Sequence, residues 1–398
     1  MIIISAVVVA VAVMMVIVAL LCRCSRRPCP RRLAGVRRRQ TQQYDAVDLN
    51  TDLLPTNDRY RQLTALGTAV TDPDLASAGG TLERLELGDL RNEIVFVADI
   101  ARCAFGRVFL ARLPHQQGSG SETPPRQQDR VAVKMLNDDA DVDARRQFVA
   151  AASTLAELNH ANVVRLIGVC IRRSPLCVVL EYMDAGDLSE YLRRHDRYSV
   201  ADRGPMARPL TPIQRVDIVA QMAGAMAYVA SRGFVHRDVA ARNFLVSEDS
   251  GSGESQRSEP CVKLGDFMLA LRVTSPDGVC RRADADEALP VRWLAPECLA
   301  DGRFSTASDV WSFGVAFWEV FAHGRQPYAG VPNSEVERRI GEGLTLPRPV
   351  DAPEETYTLM CRCWQWRPHH RPSFDSLLSS MLSLRVQMST RPSAAVAL

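Results

Sequence analysis

The chain has 398 residues, 46% of them hydrophobic, which is enough for one large folded domain with tails. Residues 23–39 carry eight arginines and no acidic residue, which leaves residues 40–398 with 40 basic and 46 acidic side chains. This mildly acidic body argues against a nucleic-acid-binding protein. The eleven cysteines show no metal-type spacing, since Cys361 and Cys363 lack a second pair, and we expect them to be reduced cytosolic thiols.

The first predicted element is a transmembrane helix within residues 1–22. Residues 2–21 are apolar except for Ser5, and at about 1.5 Å per residue they span a ~30 Å hydrocarbon core. A cleaved signal peptide is the alternative, but its positive charge would come before the apolar run. Here the arginines follow, so the positive-inside rule places the N-terminus outside and the rest of the chain in the cytosol. We expect the membrane to be the plasma membrane.

Residues 23–90 are predicted to be a basic juxtamembrane segment followed by a flexible, polar linker. Its arginines are expected to hold anionic lipids at about 1 kcal/mol each. Tyr60, in "NDRY", lies in a loose form of the Asn-Pro-x-Tyr motif without its proline, so a docking site for phosphotyrosine-binding adaptors and a plain solvated tyrosine both remain open. Whether an ectodomain precedes the apolar run also stays open.

From residue 91 the pattern changes to short strands followed by helices. Residues Val142 to Asn159 and Leu210 to Arg232 have helical spacing. Five runs rich in β-branched and apolar residues predict strands, namely "EIVFVADI", "RVFLARL", "RVAVKML", "VVRLIGVC" and "LCVVLEYM". Strands first and helices afterwards predict an α+β domain of two lobes over residues 91–385, with a C-terminal tail at 386–398.

The segment "HRDVAARN", residues 236–243, is the strongest chemical signal. At this spacing Asp238 can accept a hydroxyl proton while Asn243 binds a metal ion. Together with "VAVK" at 131–134, "DF" at 266–267 and "LAPE" at 294–297, the segment resembles the protein kinase family over about three quarters of the chain.

Details of these motifs resemble receptor tyrosine kinases. The "AAR" within the catalytic loop, "LPVRWLAPE" and "CWQWRPHHRPSF" are similar to that class. The segments "NEIVFVADIARCAFGRVFLARLP" and "EYMDAGDLSEYL" resemble the muscle-specific kinase and Ror-type orphan receptor group, and Cys103 in "CAFG" is a Ror-like detail. The resemblance implies a two-lobed kinase fold with a small β-rich and a larger helical lobe behind one transmembrane helix. It also implies ATP and magnesium (Mg²⁺) as cofactors, tyrosine side chains of proteins as substrates, transmembrane signalling, and a receptor dimer.

The resemblance assigns a set of site residues. The catalytic set is Asp238 as base, Arg242 assisting it, Lys134 on the phosphates, and Asn243 and Asp266 as metal ligands. The adenine site would consist of Gly106, Val108, Ala132, Leu180 as gatekeeper, Glu181 and Met183 in the hinge, and Leu245, while Glu297 and Arg371 form a structural ion pair. Lys134 has an independent argument, because only two of the 48 basic residues are lysines and an incidental cation would have been arginine.

The chain departs from the family pattern in the glycine-rich loop and after "DF". Ala101 and Cys103 replace two glycines and leave only Gly106, and a Cβ at these positions obstructs the approach of the backbone to phosphate. Met268 stands where the family has glycine after Asp266 and Phe267. It either alters the exchange of this loop between two states or packs in the space that glycine leaves.

The helix that should supply a glutamate partner to Lys134 has alanine there. Counting back from Asn162 places Ala151 at this position, and Glu157, six residues further on, is turned by about 600° and faces elsewhere. No tyrosine lies between residues 266 and 297, so ordering of the activation loop by phosphotyrosine is excluded. The acidic "DADE" at 284–287 either mimics that charge or is simply solvated.

These observations leave two functional hypotheses. The complete catalytic set favours a membrane-anchored protein-tyrosine kinase, weak or unusually regulated. The altered positioning groups favour a pseudokinase that acts as a receptor scaffold. The chemical groups that the first hypothesis needs are all present, and folding alone does not require them.

Overall fold

A computed structural model describes residues 82–88, 94–103, 106–113, 130–196, 208–248, 259–281 and 289–390. Within these ranges no helix is both long enough and apolar enough to cross a membrane. The apolar run at residues 2–21, the arginine-rich flank, Tyr60 and the acidic residues 284–287 all lie outside the described ranges.

The N-terminal lobe is built on a five-stranded antiparallel sheet in the order β1-β2-β3-β5-β4. Its strands are β1 (Val95–Cys103), β2 (Gly106–Arg112), β3 (Arg130–Leu136), β4 (Leu166–Cys170) and β5 (Cys177–Glu181). Side chains alternate between the two faces of a strand. On β3, Val131 and Val133 therefore enter an apolar cluster on the outer face, while Ala132 and Lys134 face the C-terminal lobe.

One long helix, α1 (Val142–Ala156), packs on the inner face of this sheet. The Asp141 side chain caps it by accepting a hydrogen bond from the Ala144 N–H at 2.8 Å. Its inward face repeats at the i, i+3, i+4, i+7 spacing of an amphipathic helix and consists of Phe148, Ala151, Ala152 and Leu155. This face is entirely apolar.

The C-terminal lobe is mostly helical. Its helices are α2 (Leu188–Arg194), α3 (Pro212–Ser231), α4 (Pro296–Asp301), α5 (Thr306–Phe321), α6 (Asn333–Gly341), α7 (Glu354–Cys363) and α8 (Phe374–Thr390). Helix α5 is buried over almost its whole length, and α8 packs along α3. The predicted α+β class, with strands first and helices afterwards, is confirmed for the residues that the structure describes.

Three short antiparallel pairs complete this lobe. They are β6 (Phe234–Val235) with β9 (Leu271–Arg272), β7 (Phe244–Glu248) with β8 (Pro260–Leu264), and β10 (Cys280–Arg281) with β11 (Arg303–Phe304). The catalytic loop lies between β6 and β7. The first and third pairs fix the two ends of the segment that runs from β9 to β11.

Residues 82–88 are packed on the N-terminal lobe, which corrects their assignment to the flexible linker. Leu82 is buried, and the Leu87 N–H donates to the Val169 carbonyl oxygen at 2.8 Å. Burial raises the pKa of Glu86, whose carboxylate accepts hydrogen bonds from the backbone of the turn after β4. The prediction rested on the polar composition of the linker as a whole. It did not take account of the closely spaced leucines in this segment, which bury apolar surface against the lobe.

Candidate active site

A cavity of about 340 Å³ lies between the sheet and the C-terminal lobe. Most of the predicted site residues line it, namely Val108, Ala132, Lys134, Leu180, Glu181, Met183, Arg242, Asn243, Leu245 and Asp266. Gly106 and Asp238 lie outside the lining. Val108 and Ala132 come from the sheet and Leu245 from β7, so the cavity has apolar walls contributed by both lobes.

The catalytic loop is held by two fully buried carboxylates of α5. Asp309 accepts the backbone N–H groups of His236 at 2.6 Å and Arg237 at 3.0 Å, and Glu319 accepts that of Ala241 at 2.9 Å. Burial raises the pKa of Asp309 to about 6 and that of Glu319 to about 7. The loop therefore takes its shape from contacts far along the chain.

Asp238 is held within this loop by its neighbours. The Arg242 guanidinium donates to the Asp238 carboxylate and lies over the Trp293 ring, 4.3 Å from its centroid. The Asn243 side-chain amide donates to the Asp238 carbonyl oxygen at 2.7 Å. These contacts fix the position and orientation of the Asp238 carboxylate, as is required of a group that accepts a proton from a hydroxyl.

The residues predicted to bind magnesium have the ligand chemistry for it. The Asn243 Oδ1 atom is buried and has no hydrogen-bond partner among the described residues. The Asn243 carbonyl oxygen accepts the Gly265 N–H at 2.8 Å. This hydrogen bond holds Asp266, the residue after Gly265, close to Asn243 in the wall of the cavity. An amide oxygen and a carboxylate oxygen are the hard ligands that Mg²⁺ prefers.

Lys134 forms its ion pair with Asp266 rather than with helix α1. The Lys134 Nζ and Asp266 Oδ1 atoms are 3.0 Å apart, and both side chains are largely buried. Helix α1 contains no glutamate and presents Ala151 to the cavity. Glu157, at the end of this helix, pairs with Arg272 of β9, as expected for a side chain on another face.

Met268 fills the space beneath α1. It lies in a short 3₁₀ turn, Phe267–Leu269, that contacts α1, and only 5% of its surface is exposed. Its φ is not positive, so this conformation does not use the backbone freedom of glycine. The packing interpretation is the one observed, and an altered exchange between loop states stays a prediction.

The one glycine kept from the phosphate-binding loop is required by the sheet. A Cβ added to Gly106 would lie 1.9 Å from the Met135 carbonyl oxygen of the neighbouring strand. Any larger residue would force β2 away from β3. Its retention therefore reflects strand packing, a reason that the motif alone did not give.

Sequence reasoning missed an ion pair behind the hinge. The Lys263 Nζ atom, on β8, lies 2.8 Å and 2.9 Å from the two carboxylate oxygens of Glu181, and the Arg165 N–H donates to the same carboxylate at 2.7 Å. Both lysines of the chain thus pair with carboxylates that line the cavity. The scarcity of lysine, which identified Lys134, was also the signal for Lys263.

The two ends of the cavity were missed as well. The rear end is lined by Phe148, Ala151, Ala152, Leu155 and Met268, and the front end by Asp184, Asp187, Glu190 and Arg194. The rear is apolar because α1 supplies no charged group there. The front is polar, and Asp187 both lines it and caps α2 by accepting the Glu190 N–H at 3.0 Å.

The predicted structural ion pair of the C-terminal lobe is present. The Arg371 guanidinium donates to the two carboxylate oxygens of Glu297 at 2.6 Å and 2.9 Å. Nearby, the guanidinium of Arg237 lies over the Phe304 ring, 4.2 Å from its centroid. This contact links the catalytic loop to β11, at the end of the segment that lacks a tyrosine.

Comparison with known proteins shows which family the chain matches and which proteins it is similar to. A family model described as protein tyrosine and serine/threonine kinase matches residues 94–381. The BDNF/NT-3 growth factors receptor of Gallus gallus is 39% identical over 296 residues, 74% of this chain and 34% of its own length. The insulin-like growth factor 1 receptor of Bos taurus is 35% identical over 327 residues, which are 81% of this chain and 48% of the receptor's own length.

A third relative is the tyrosine-protein kinase transforming protein Fps of avian sarcoma virus (strain PRCII). It is 34% identical over 317 residues, 79% of this chain and 53% of its own length. The chain spans from about a third to about half of the length of these relatives.

Proposed function

The chain belongs to the protein tyrosine and serine/threonine kinase family and carries a protein-tyrosine kinase domain, and we propose that it transfers the γ-phosphate of ATP to tyrosine side chains of proteins. One observation carries this proposal. Lys134, Asn243 and Asp266 line one cavity, and Asp238 is held beside it by Arg242 and Asn243. The groups that phosphoryl transfer requires are thus complete.

Each residue has a defined role in the proposed reaction. The Asp238 carboxylate accepts the proton of the tyrosine hydroxyl, and Arg242 keeps that carboxylate oriented. Lys134 binds the phosphates of ATP, while Asn243 and Asp266 would hold Mg²⁺. When bound, this ion neutralises negative charge on the phosphates. Val108, Ala132 and Leu245 line the cavity and would contact the adenine ring.

The proposed kinase is weak or unusually regulated. Helix α1 gives Lys134 no acidic partner, and removal of one well-placed electrostatic contact typically costs 10²–10³ in rate, or about 2.7–4 kcal/mol. Activation does not use a tyrosine between residues 266 and 297, because none exists there.

We further propose a receptor-type arrangement at the plasma membrane. Residues 2–21 would anchor the chain with its N-terminus outside, and the basic flank at 23–39 would bind anionic lipids. Two relatives are named as growth factor receptors, which supports transmembrane signalling and a receptor dimer. Phosphotyrosine-binding adaptors would bind near Tyr60, in the loose motif "NDRY". Cys103 and its surroundings favour the muscle-specific kinase and Ror-type group within the receptors.

The decisive experiment uses the full-length chain purified in detergent. We expect transfer of phosphate from Mg-ATP to a tyrosine-containing peptide, and loss of transfer in Asp238→Asn. Mg-ATP at 100 times its dissociation constant should add about 2.7 kcal/mol to the free energy of unfolding. Lys134→Met should abolish that gain, whereas Arg146→Met, an exposed cation of α1, should keep it.

The second candidate, a receptor scaffold without activity, is favoured by the apolar inner face of α1. It predicts neither transfer nor a stability gain with Mg-ATP. A gain without transfer would separate nucleotide binding from catalysis and would also reject the kinase proposal.

A further inference from the structure

Two cysteines face each other where β4 and β5 meet their connecting turn. Cys170 is the last residue of β4 and Cys177 the first residue of β5, and they are directly opposite in the antiparallel pair. Opposite residues project from the same face of a sheet, with Cβ atoms about 4.5–5.5 Å apart. Neither cysteine forms a disulfide, and the Cys170 thiol donates a hydrogen bond to the Arg173 carbonyl oxygen at 3.9 Å, in the turn that joins the two strands.

The two thiols have different surroundings. Cys177 is completely buried in the outer apolar cluster, whereas Cys170 packs at its edge and is partly exposed. The neighbouring Cys177 thiol lowers the pKa of the Cys170 thiol, against burial and the nearby Glu86 carboxylate, which raise it. The Cys170 thiol and burial raise the pKa of Cys177. Cys170 is therefore the accessible nucleophile and Cys177 its protected neighbour.

We propose that Cys170 and Cys177 form a redox-active pair that a hydroperoxide converts into a cross-strand disulfide. The Cys170 thiolate attacks the terminal peroxide oxygen and the O–O bond breaks. After protonation the second oxygen leaves as water from hydrogen peroxide, or as an alcohol from an organic hydroperoxide. The resulting sulfenic acid is attacked by the Cys177 sulfur, the S–O bond breaks, and the hydroxyl leaves as water with the Cys177 proton. The two thiols supply two electrons, and the peroxide receives them.

The location gives this reaction a structural consequence. The strand that begins with Cys177 continues through Val178 to Leu180, both of which line the cavity. The strand that ends with Cys170 pairs on its other side with residues 86 and 87. A disulfide would fasten the two strands at their turn and restrict the unfolded chain, so the melting temperature of the oxidised protein should rise by several degrees.

The test uses the full-length chain treated with hydrogen peroxide, blocked with an alkylating reagent and digested with trypsin. Arg172 and Arg173 lie between the two cysteines, so trypsin separates them unless a disulfide joins the peptides. We expect the joined pair, lighter by two hydrogen atoms than the separate peptides together and separable by dithiothreitol. Cys361→Ser, at a partly exposed cysteine of α7, should leave the product unchanged.

Two single variants test the assigned order of events. Cys177→Ala should leave a sulfenic acid on Cys170 that dimedone traps, and Cys170→Ser should give neither product. If Cys177→Ala does not fold, the proposal is tested in the chain without substitutions by comparing the alkylation rates of Cys170 and Cys361. Cys170 is expected to react faster. Equal rates, a folded chain without the joined peptides, or a disulfide between two chains would overturn the proposal.

Discussion

The catalytic loop and helix α1 face the same cavity but are built differently. The loop at residues 236–243 is fixed by the buried carboxylates Asp309 and Glu319, and its polar groups contact one another. Helix α1 turns only apolar side chains toward the cavity. The comparison separates the groups that carry out the chemistry, which are complete, from those that align the N-terminal lobe, which are altered.

Because α1 supplies no acidic partner for Lys134, the Asp266 carboxylate has two roles. Asp266 is the partner of Lys134 and also a predicted ligand of Mg²⁺. Its Oδ1 atom faces the lysine at 3.0 Å. A metal ion bound at Asp266 would therefore weaken the attraction that holds Lys134, since the two cations compete for the same negative charge. With a glutamate on α1, that competition would not arise.

The largest effect is expected from removing the proposed base. Asp238→Asn keeps the size of the side chain but cannot accept the hydroxyl proton, so the rate of transfer should fall by about 10²–10⁴. The initial rate of peptide phosphorylation measures it. The Mg-ATP stability gain should persist, because Asp238 lies outside the lining of the cavity. A rate within tenfold of the unmodified chain would remove Asp238 from this role.

The next effect tests whether α1 limits the rate. Ala151→Glu places a carboxylate on the inner face of the helix, where Lys134 also lines the cavity, and the rate should rise by up to about 10². Ala150→Glu, at an exposed position of the same helix, is the matched control and should change nothing. Equal rates in the two variants would show that the missing glutamate is not the limiting defect.

A smaller effect is expected in the pH dependence of the unfolding free energy, through Glu319, which holds the catalytic loop. Folding raises the pKa of Glu319 from 4.5 to about 7, so the folded state binds the proton more tightly than the unfolded state. The contribution of Glu319 to stability is thus full below about pH 4.5 and is lost as pH rises toward about 7, with a slope of at most about 1.4 kcal/mol per pH unit.

Chemical denaturation across this pH range checks the prediction. Glu319→Gln keeps an oxygen that can accept the Ala241 N–H but cannot titrate, so its stability should fall less steeply with pH. Asp309, with its pKa raised to about 6, adds a decline of the same sign to both proteins. Parallel curves for the two proteins would mean that Glu319 does not titrate in this range.

The smallest effect is expected at the exposed pair between α1 and β9. Glu157 and Arg272 are each more than 40% exposed, so Glu157→Gln should cost less than about 1 kcal/mol of unfolding free energy. A double-mutant cycle with Arg272→Gln measures the coupling. A coupling of several kcal/mol would mean that this pair, and not only apolar packing, holds α1 in place.

The strands of the sheet and the long helices α1 and α3 could be predicted because hydrophobic periodicity is local. The segment at 82–88 could not, since its few leucines gain stability only from the strand they meet. The role of Met268 was left open for the same reason. Whether its side chain has room depends on α1, more than a hundred residues earlier.

The sequence by itself determined the catalytic loop, because Asp238, Arg242 and Asn243 lie within six residues and match the kinase motif residue by residue. It also determined which residue types were missing at positions 101, 103 and 151. Only the tertiary structure decided that Lys134 pairs with Asp266, that Lys263 pairs with Glu181, and that Cys170 faces Cys177. Such contacts depend on strand register and lobe packing, which bring together side chains whose separation in sequence carries no signal.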